Sequence, residues 1–185
     1  LLYQVNLLKI YLRIYQMLMY SKRHSCGHYN PTTLLKLSVA EGIAGKIFSI
    51  GKQENMHPLT VVILDAGGAP VLTKRQDGSG IMRVDIAFGK AWGSLGMGIS
   101  SRLMRDRLAD RPTFLNALAS VSGGRLIPVP GGVLIYDKEG EAIGAVGVSG
   151  DTSDKDEYCA IAAIKAEGYQ PEPGNPSATW RESNL

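Results

Sequence analysis

His24, Cys26 and His28 alternate in the stretch SKRHSCGHYN. In an extended segment all three lie on one face, and in a helix the two histidines stand one turn apart. Either arrangement can bind a soft or borderline metal or offer an axial ligand to haem iron, while the plainer reading is a polar linker. A different chemistry belongs to Ser149-Gly150-Asp151-Thr152-Ser153-Asp154, which joins the apolar run Ile143–Val148 to the alanine-rich stretch Asp156–Ala166. A glycine-bearing strand end that feeds a helix leaves several N–H groups unpaired, a generic place to hold an anion. Gly131 and Gly132 in PVPGGV leave N–H groups free to face a ligand in the same way. Lys90, set among the small residues Gly89, Ala91 and Gly93, either snorkels to an edge or points into a pocket.

Those groups have to be positioned by regular elements, and the hydrophobic periods say which. Gly144 and Gly147 interrupt Ile143–Val148, so it reads as a buried strand approached closely by another backbone or a ligand. Ile161 and Ile164 stand three apart in the following helix, Asp154-x-x-Glu157 matches a capping pattern at its start, and Gly168 is placed to stop it. Asn30-Pro31 reads as the start of an earlier helix that runs to about Gln53, with Leu35, Val39, Ile43, Ile47 and Ile50 as its buried stripe. From Leu59 the period shortens: LTVVILDAGGAPVLTKRQDG predicts a hairpin turning at Asp65–Ala69, and GVLIYDKEGEAIGAVGV repeats it with a turn at Asp137–Gly140. With a short strand near Leu126–Val129, this predicts an antiparallel sheet of about five strands. Val84, Phe88, Ala91, Trp92 and Leu95 mark a helix between the hairpins. Ser100–Ala109 and Pro112–Ser120 predict two shorter ones, whose Arg102, Arg105, Asp106 and Arg107 form a solvated face. Gln170–Leu185, with three prolines, reads as an irregular tail anchored by Trp180.

Composition bounds the function classes. A chain of 185 residues with 44% hydrophobic content fits one domain with extensions and a sizeable core. The net charge of +3 is concentrated: residues 1–30 hold Lys9, Arg13, Lys22 and Arg23 and no acid, so residues 31–185 sum to −1. A nearly neutral body argues against nucleic acid as a partner. Two cysteines far apart do not make a disulfide framework, and with three histidines they do not make a Cys-rich zinc site. The absence of C-x-x-C-H excludes covalent c-type haem. No apolar run reaches the length of a membrane span, and a reducing, cytoplasmic setting is the expectation. Leu1, Val5, Leu8, Leu12, Tyr15 and Met19 recur at helical spacing in the basic, acid-free arm, which is read as a packing or oligomer helix, with targeting or membrane-surface roles as alternatives. The organisation expected is a basic extension over 1–30, a domain over 31–169 and a tail over 170–185.

Six pieces stand in a characteristic order: VVILDAGGAPV, then R-x-D-G at Arg75–Gly78, K-A at Lys90-Ala91, PGGV at Pro130–Val133, GAVGVSG at Gly144–Gly150, and Asp156. In this order they resemble the GlcG/HbpS family of haem-binding and haem-degrading-type domains, which includes the C-terminal domain of PduO-type cobalamin adenosyltransferases. The resemblance spans about residues 33–169. It implies an α+β fold, a profilin-like three-layer α-β-α sandwich around an antiparallel sheet. It also implies self-assembly into dimers or larger rings, and haem as a candidate cofactor. Arg75, Asp77, Lys90, Gly131, Gly132, Gly147, Ser149, Gly150 and Asp156 occupy family-pattern positions. The family pattern does not fix the haem-ligating histidine, so His24, His28 and His57 are candidates by chemistry alone.

Three functions compete on these residues. In the first, the chain is a module for haem or a related tetrapyrrole, whose propionates meet Arg75, Lys90 or the helix start after Ser149 while a histidine meets iron. In the second, it is an enzyme or accessory protein acting on a small organic acid such as a 2-hydroxy acid, held by the same groups, with Asp77 or Asp156 as acid or base. In the third, it is an assembly protein, and the pocket-like features are contacts between subunits. The first ranks highest.

Overall fold

A computed structural model describes residues 34–185, which form one unit. His24, Cys26, His28 and the Asn30-Pro31 helix start lie outside the described residues. Within them the chain runs α1 (Leu37–Gln53), β1 (Thr60–Asp65), β2 (Pro70–Arg75), α2 (Arg83–Met97), α3 (Ser101–Leu108), α4 (Pro112–Val121), β3 (Gly132–Tyr136), β4 (Ala142–Ser149), α5 (Ser153–Ala166) and β5 (Gln170–Glu172). The strands form one sheet in the order β2-β1-β4-β3-β5, and every neighbouring pair is antiparallel.

The period-two pattern of the strands sorts their side chains into two cores. On β1, Val61 and Ile63 join one apolar cluster while Val62 and Leu64 join another; on β3, Val133 and Ile135 oppose Leu134. The first cluster is completed by α1 and α5, through Ile43, Ile47, Ile161 and Ile164. The second is completed by α2, through Val84, Phe88, Ala91, Trp92 and Leu95. The architecture is therefore an α+β three-layer sandwich. Small residues set the spacing between layers. Ala40 and Ala44 of α1 and Ala160 and Ala163 of α5 are fully buried. A Cβ on Gly147 would run into the Ala87 carbonyl oxygen of α2, so this glycine is what lets the helix lie on β4.

Both hairpins turn by the same device. Asp65 Oδ1 accepts from the N–H groups of Gly67 and Ala69, and Asp137 Oδ1 from those of Glu139 and Glu141.

Several sequence expectations are corrected. The fifth strand is Gln170–Glu172 at the edge of the sheet beside β3, not Leu126–Val129. An edge position tolerates Pro171, which has no N–H to give, and that is why a proline-containing stretch expected to be irregular holds a strand. Residues 125–127 instead cross α2, where the Ile127 N–H meets the Gly89 carbonyl and Gly89 and Gly93 leave room for them. The first helix among the described residues begins at Leu37, after the extended Lys36. The cap of α5 is Thr152, whose Oγ1 accepts from Lys155 N, rather than Asp154. Gly168, at φ 85°, follows the end of α5 as expected. Trp180 stacks on Tyr158 of α5 at 3.7 Å between ring centroids and 10° between planes, so it anchors the tail to its own domain. Among the described residues no helix is long and apolar enough to cross a membrane.

Candidate functional site

The register brings the separated motifs to one end of the sheet. Arg75 at the end of β2 pairs across with Thr60 at the start of β1, which pairs in turn with Ser149 at the end of β4. The turn that follows β2 folds back over this row. The Gln76 side chain accepts from Leu59 N at 2.7 Å, Gln76 N donates to Leu59 O, and the Ser79 hydroxyl bonds that of Thr60 at 2.8 Å. Arg83, at the head of α2, donates to the Ser149 hydroxyl at 3.2 Å.

Beside this turn lies an open groove of about 560 Å³, lined by Gly51, Lys52, Met56, Pro58, Arg75, Gln76 and Asp77. Its lining combines Met56 and Pro58 with two cations, Lys52 and Arg75, and one carboxylate, Asp77. His57 stands between two lining residues and is exposed. The groove thus unites three elements: the C-terminal end of α1, the α1–β1 connection and the turn after β2.

The remaining motif residues form a buttress behind this wall. Lys90 and Asp156 are almost fully buried and pair at 2.9 Å, and Lys90 Nζ also donates to the Val148 carbonyl at 2.9 Å. Lys90 therefore neither snorkels nor faces an open pocket. Its ammonium is consumed inside the sandwich, joining α2 to β4 and α5. Burial pushes the Asp156 carboxyl above the ordinary aspartate range, with the Lys90 ammonium and the Asp151 N–H pulling the other way. Asp156 Oδ1 accepts from Asp151 N at 3.1 Å. Asp151 in turn accepts from His57 N at 2.9 Å and from Thr152 N at 2.8 Å. Its burial favours the neutral acid, but those two N–H groups and the Lys155 ammonium prevail and hold the carboxyl below the usual range. A chain of polar contacts thus runs from Lys90 through Asp156 and Asp151 to the backbone of His57. Gly150 packs against the other part of the same wall, since a Cβ there would meet Pro58 O and Leu59.

At both glycine motifs the chain itself takes up N–H groups that the sequence offers to an anion. At the head of α5, the N–H groups of Asp151, Thr152 and Lys155 are taken by the chain's own Asp156, Asp151 and Thr152 side chains. At PGGV, Gly132 N donates to the Ser101 hydroxyl at 2.7 Å, and a Cβ on Gly131 would crowd Lys90 Nζ at 2.9 Å. The glycines are present because neighbouring elements approach them. Of the sequence candidates, Arg75 and Asp77 line the groove and His57 adjoins it, while Lys90, Gly131, Gly132, Ser149, Gly150 and Asp156 lie behind it.

Lys52, Met56 and Asp151 were not singled out from the sequence. Lys52 reads as part of an ordinary polar helix end, and only the fold of the α1–β1 connection brings it and Met56 to the same groove as Arg75. Asp151 had a legible signal, an aspartate beside glycine at a helix head, but its target 94 residues away was not legible. Among the described residues, no three His, Cys, Asp or Glu side chains converge as a metal site. Cys159 is a free, buried thiol, and burial pushes its pKa up, away from the reactive range.

The comparisons with known proteins agree with this architecture. The chain superposes on PduOC, solved as a haem complex, with TM-score 0.66 and 25% identity over 73% of this chain and 96% of that one. It superposes on a double mutant of Streptomyces reticuli HbpS with TM-score 0.64 and 27% identity over 76% and 92% of the two chains. Klebsiella pneumoniae protein ORFY, at TM-score 0.67 and 24% identity over 77% and 97%, shares the fold. No curated protein matches the chain in sequence. Residues 35–165 match the family described as haem degrading protein, HbpS-like, and with that match covering most of the sandwich, the chain belongs to the HbpS-like family.

Proposed function

We infer that this protein is a haem- or tetrapyrrole-binding module and that the groove beside Arg75 is where the ligand lies. The observation that carries the reading is the groove's composition. A space of about 560 Å³ is of the size that holds cofactor-sized ligands, and its lining offers apolar surface from Met56 and Pro58 together with the two cations Lys52 and Arg75. Arg75 and Lys52 would receive the propionates, Arg75 by a bidentate contact and Lys52 as a point charge. His57 would supply an imidazole to the iron. Bound haem would bring the metal and its redox chemistry, and the protein's part is to bind and orient it. The Asp151 carboxylate on the His57 N–H fixes the backbone that carries the imidazole, and the Lys90–Asp156 pair fixes Asp151. Family membership and the haem complex of PduOC support the reading.

Haemin titration of the purified protein tests it. The expected result is a shifted, saturable Soret band, weakened at least about tenfold by R75A with K52A and changed in position by H57A. No Soret shift, or a shift indifferent to all three substitutions, overturns it. The exposure of the groove's Arg75, Asp77 and Lys52 favours one second reading, a small organic acid held by the same cations. Thermal-shift measurements with glycolate-like acids check this, and a flat response to all of them counts against it.

A further inference from the structure

Glu157, on α5, is fully buried, and neither of its carboxylate oxygens has a hydrogen bond of good geometry. The nearest cation, Arg102 of α3, brings Nε to 3.1 Å of Oε2 but directs another nitrogen to the Asn175 carbonyl. The charged groups facing Glu157 are Arg102 and Arg105 from α3, Glu172 from β5, and Asp154 from its own helix. Two cations and two further carboxylates surround it, so the ionised form is poorly compensated. A buried carboxylate without donors is an expensive arrangement in any fold.

What covers Glu157 is lightly held. Helices α3 and α4 pack on the end of α2 through a small cluster, Met104, Leu108 and Leu126 with Met97, Ile99, Leu115 and Leu118, separate from the two sheet cores. Helix α4 has no buried residue. The segment is bounded by left-handed glycines on both sides, Gly98 at φ 65° and Gly123 and Gly124 at φ 61° and 78°. It is pinned to the sandwich at the N-terminal end of α3: Ser100 bonds Glu172, Ser101 bonds Gly132, and Arg102 meets Glu157.

We propose that residues 99–122 form a hinged flap whose closure over Glu157 takes up a proton at that carboxyl. With the flap closed, Glu157 is buried; with it open, water reaches the carboxylate. Burial raises the closed-state carboxyl from the ordinary value of 4.5 to about 7. The sign follows: closure is favoured at acidic pH, weakens as pH rises from the ordinary value towards the closed-state value, and levels off above it. Loss of closure frees Gly132 from Ser101 and opens a second, smaller cavity of about 150 Å³ between α2 and α4, lined by Trp92, Leu118 and Leu126.

Amide hydrogen exchange of the full chain, expressed as protection relative to intrinsic rates, tests the flap. Protection of 101–121 is expected to fall at least about tenfold between roughly pH 5 and pH 7.5, with α1 and β4 unchanged. E157Q, a neutral isostere, should hold the flap closed and remove the pH dependence. R102M keeps the carboxyl but strips its nearest cation, so it should move the transition to higher pH and lower the plateau protection above it. Protection of 101–121 that is flat with pH in the wild type overturns the proposal. So does pH dependence that survives E157Q, or an R102M transition that stays in place.

Discussion

The Lys90–Asp156 pair separates a positioning role for these residues from direct ligand contact. Lys90→Met keeps the length of the side chain and removes the ammonium. Asp156, 1% exposed, would then carry a buried charge whose remaining donor is Asp151 N. Breaking one partner out of a buried pair costs about 3–5 kcal/mol, because the other charge is left uncompensated. That is a large share of a typical total stability of about 5–15 kcal/mol. For a chain of this size it corresponds to a lowering of Tm by roughly 10 °C. The deficit depends on pH in a fixed direction. The Asp156 carboxyl is already raised in the folded state, and without Lys90 it is raised further. A raised carboxyl contributes stability below its ordinary value and loses it as pH rises through the folded value. K90M should therefore be least impaired in mild acid and most impaired at neutral pH. K90M combined with D156L replaces both charges by apolar groups and should recover most of the loss. Urea unfolding of the four proteins of this cycle at mildly acidic and neutral pH is the assay. A K90M deficit below about 1 kcal/mol, or one that does not shrink in acid, refutes the argument. Normal stability in K90M with loss of ligand would instead place Lys90 in contact with that ligand.

Three other outcomes follow from the packing and the tail. Gly147→Ala places a methyl against the Ala87 carbonyl, where backbone rather than a flexible side chain must give way, and should cost about 3 kcal/mol or more in chemical denaturation. Trp180→Ala removes the stack on Tyr158 and the cation of Arg181 over the indole, so the tail should become accessible to protease and stability should fall by about 1–2 kcal/mol. Asp151→Asn keeps the size of the side chain but removes the charge that holds the His57 N–H. It should leave the fold intact while weakening haemin binding several-fold, an effect read from the titration and absent if His57 plays no part.

Much of the layer structure was legible because it rests on local rules. The shortened period from Leu59 named the strand segments, the Asp-led turns named both hairpins, and apolar spacing from Val84 to Leu95 named a helix between them. The same patterns were silent on which chemistry is spent inside the fold. Lys90 among small residues is the same local sequence whether it faces a pocket or an aspartate, and only the crossing of α2 over β4 and α5 brings Asp156 to it. The glycines of PGGV and of Val148–Asp151 signal close approach without saying of what; the partners are Ser101, Lys90 and the Pro58 wall.

The sequence alone determined the element types, the two hairpins and the family pattern, since these depend on residues near one another in the chain or on their order. Tertiary structure decided the rest, because it depends on contacts across long separations. It placed β5 rather than residues 126–129 at the sheet edge and gave the Asp151, Thr152 and Lys155 N–H groups at the head of α5 acceptors within the chain. It also gathered Lys52, Met56 and Arg75 around one groove. Three elements meet there through strand register and the fold of one connection, and neither is written in any single stretch of the chain.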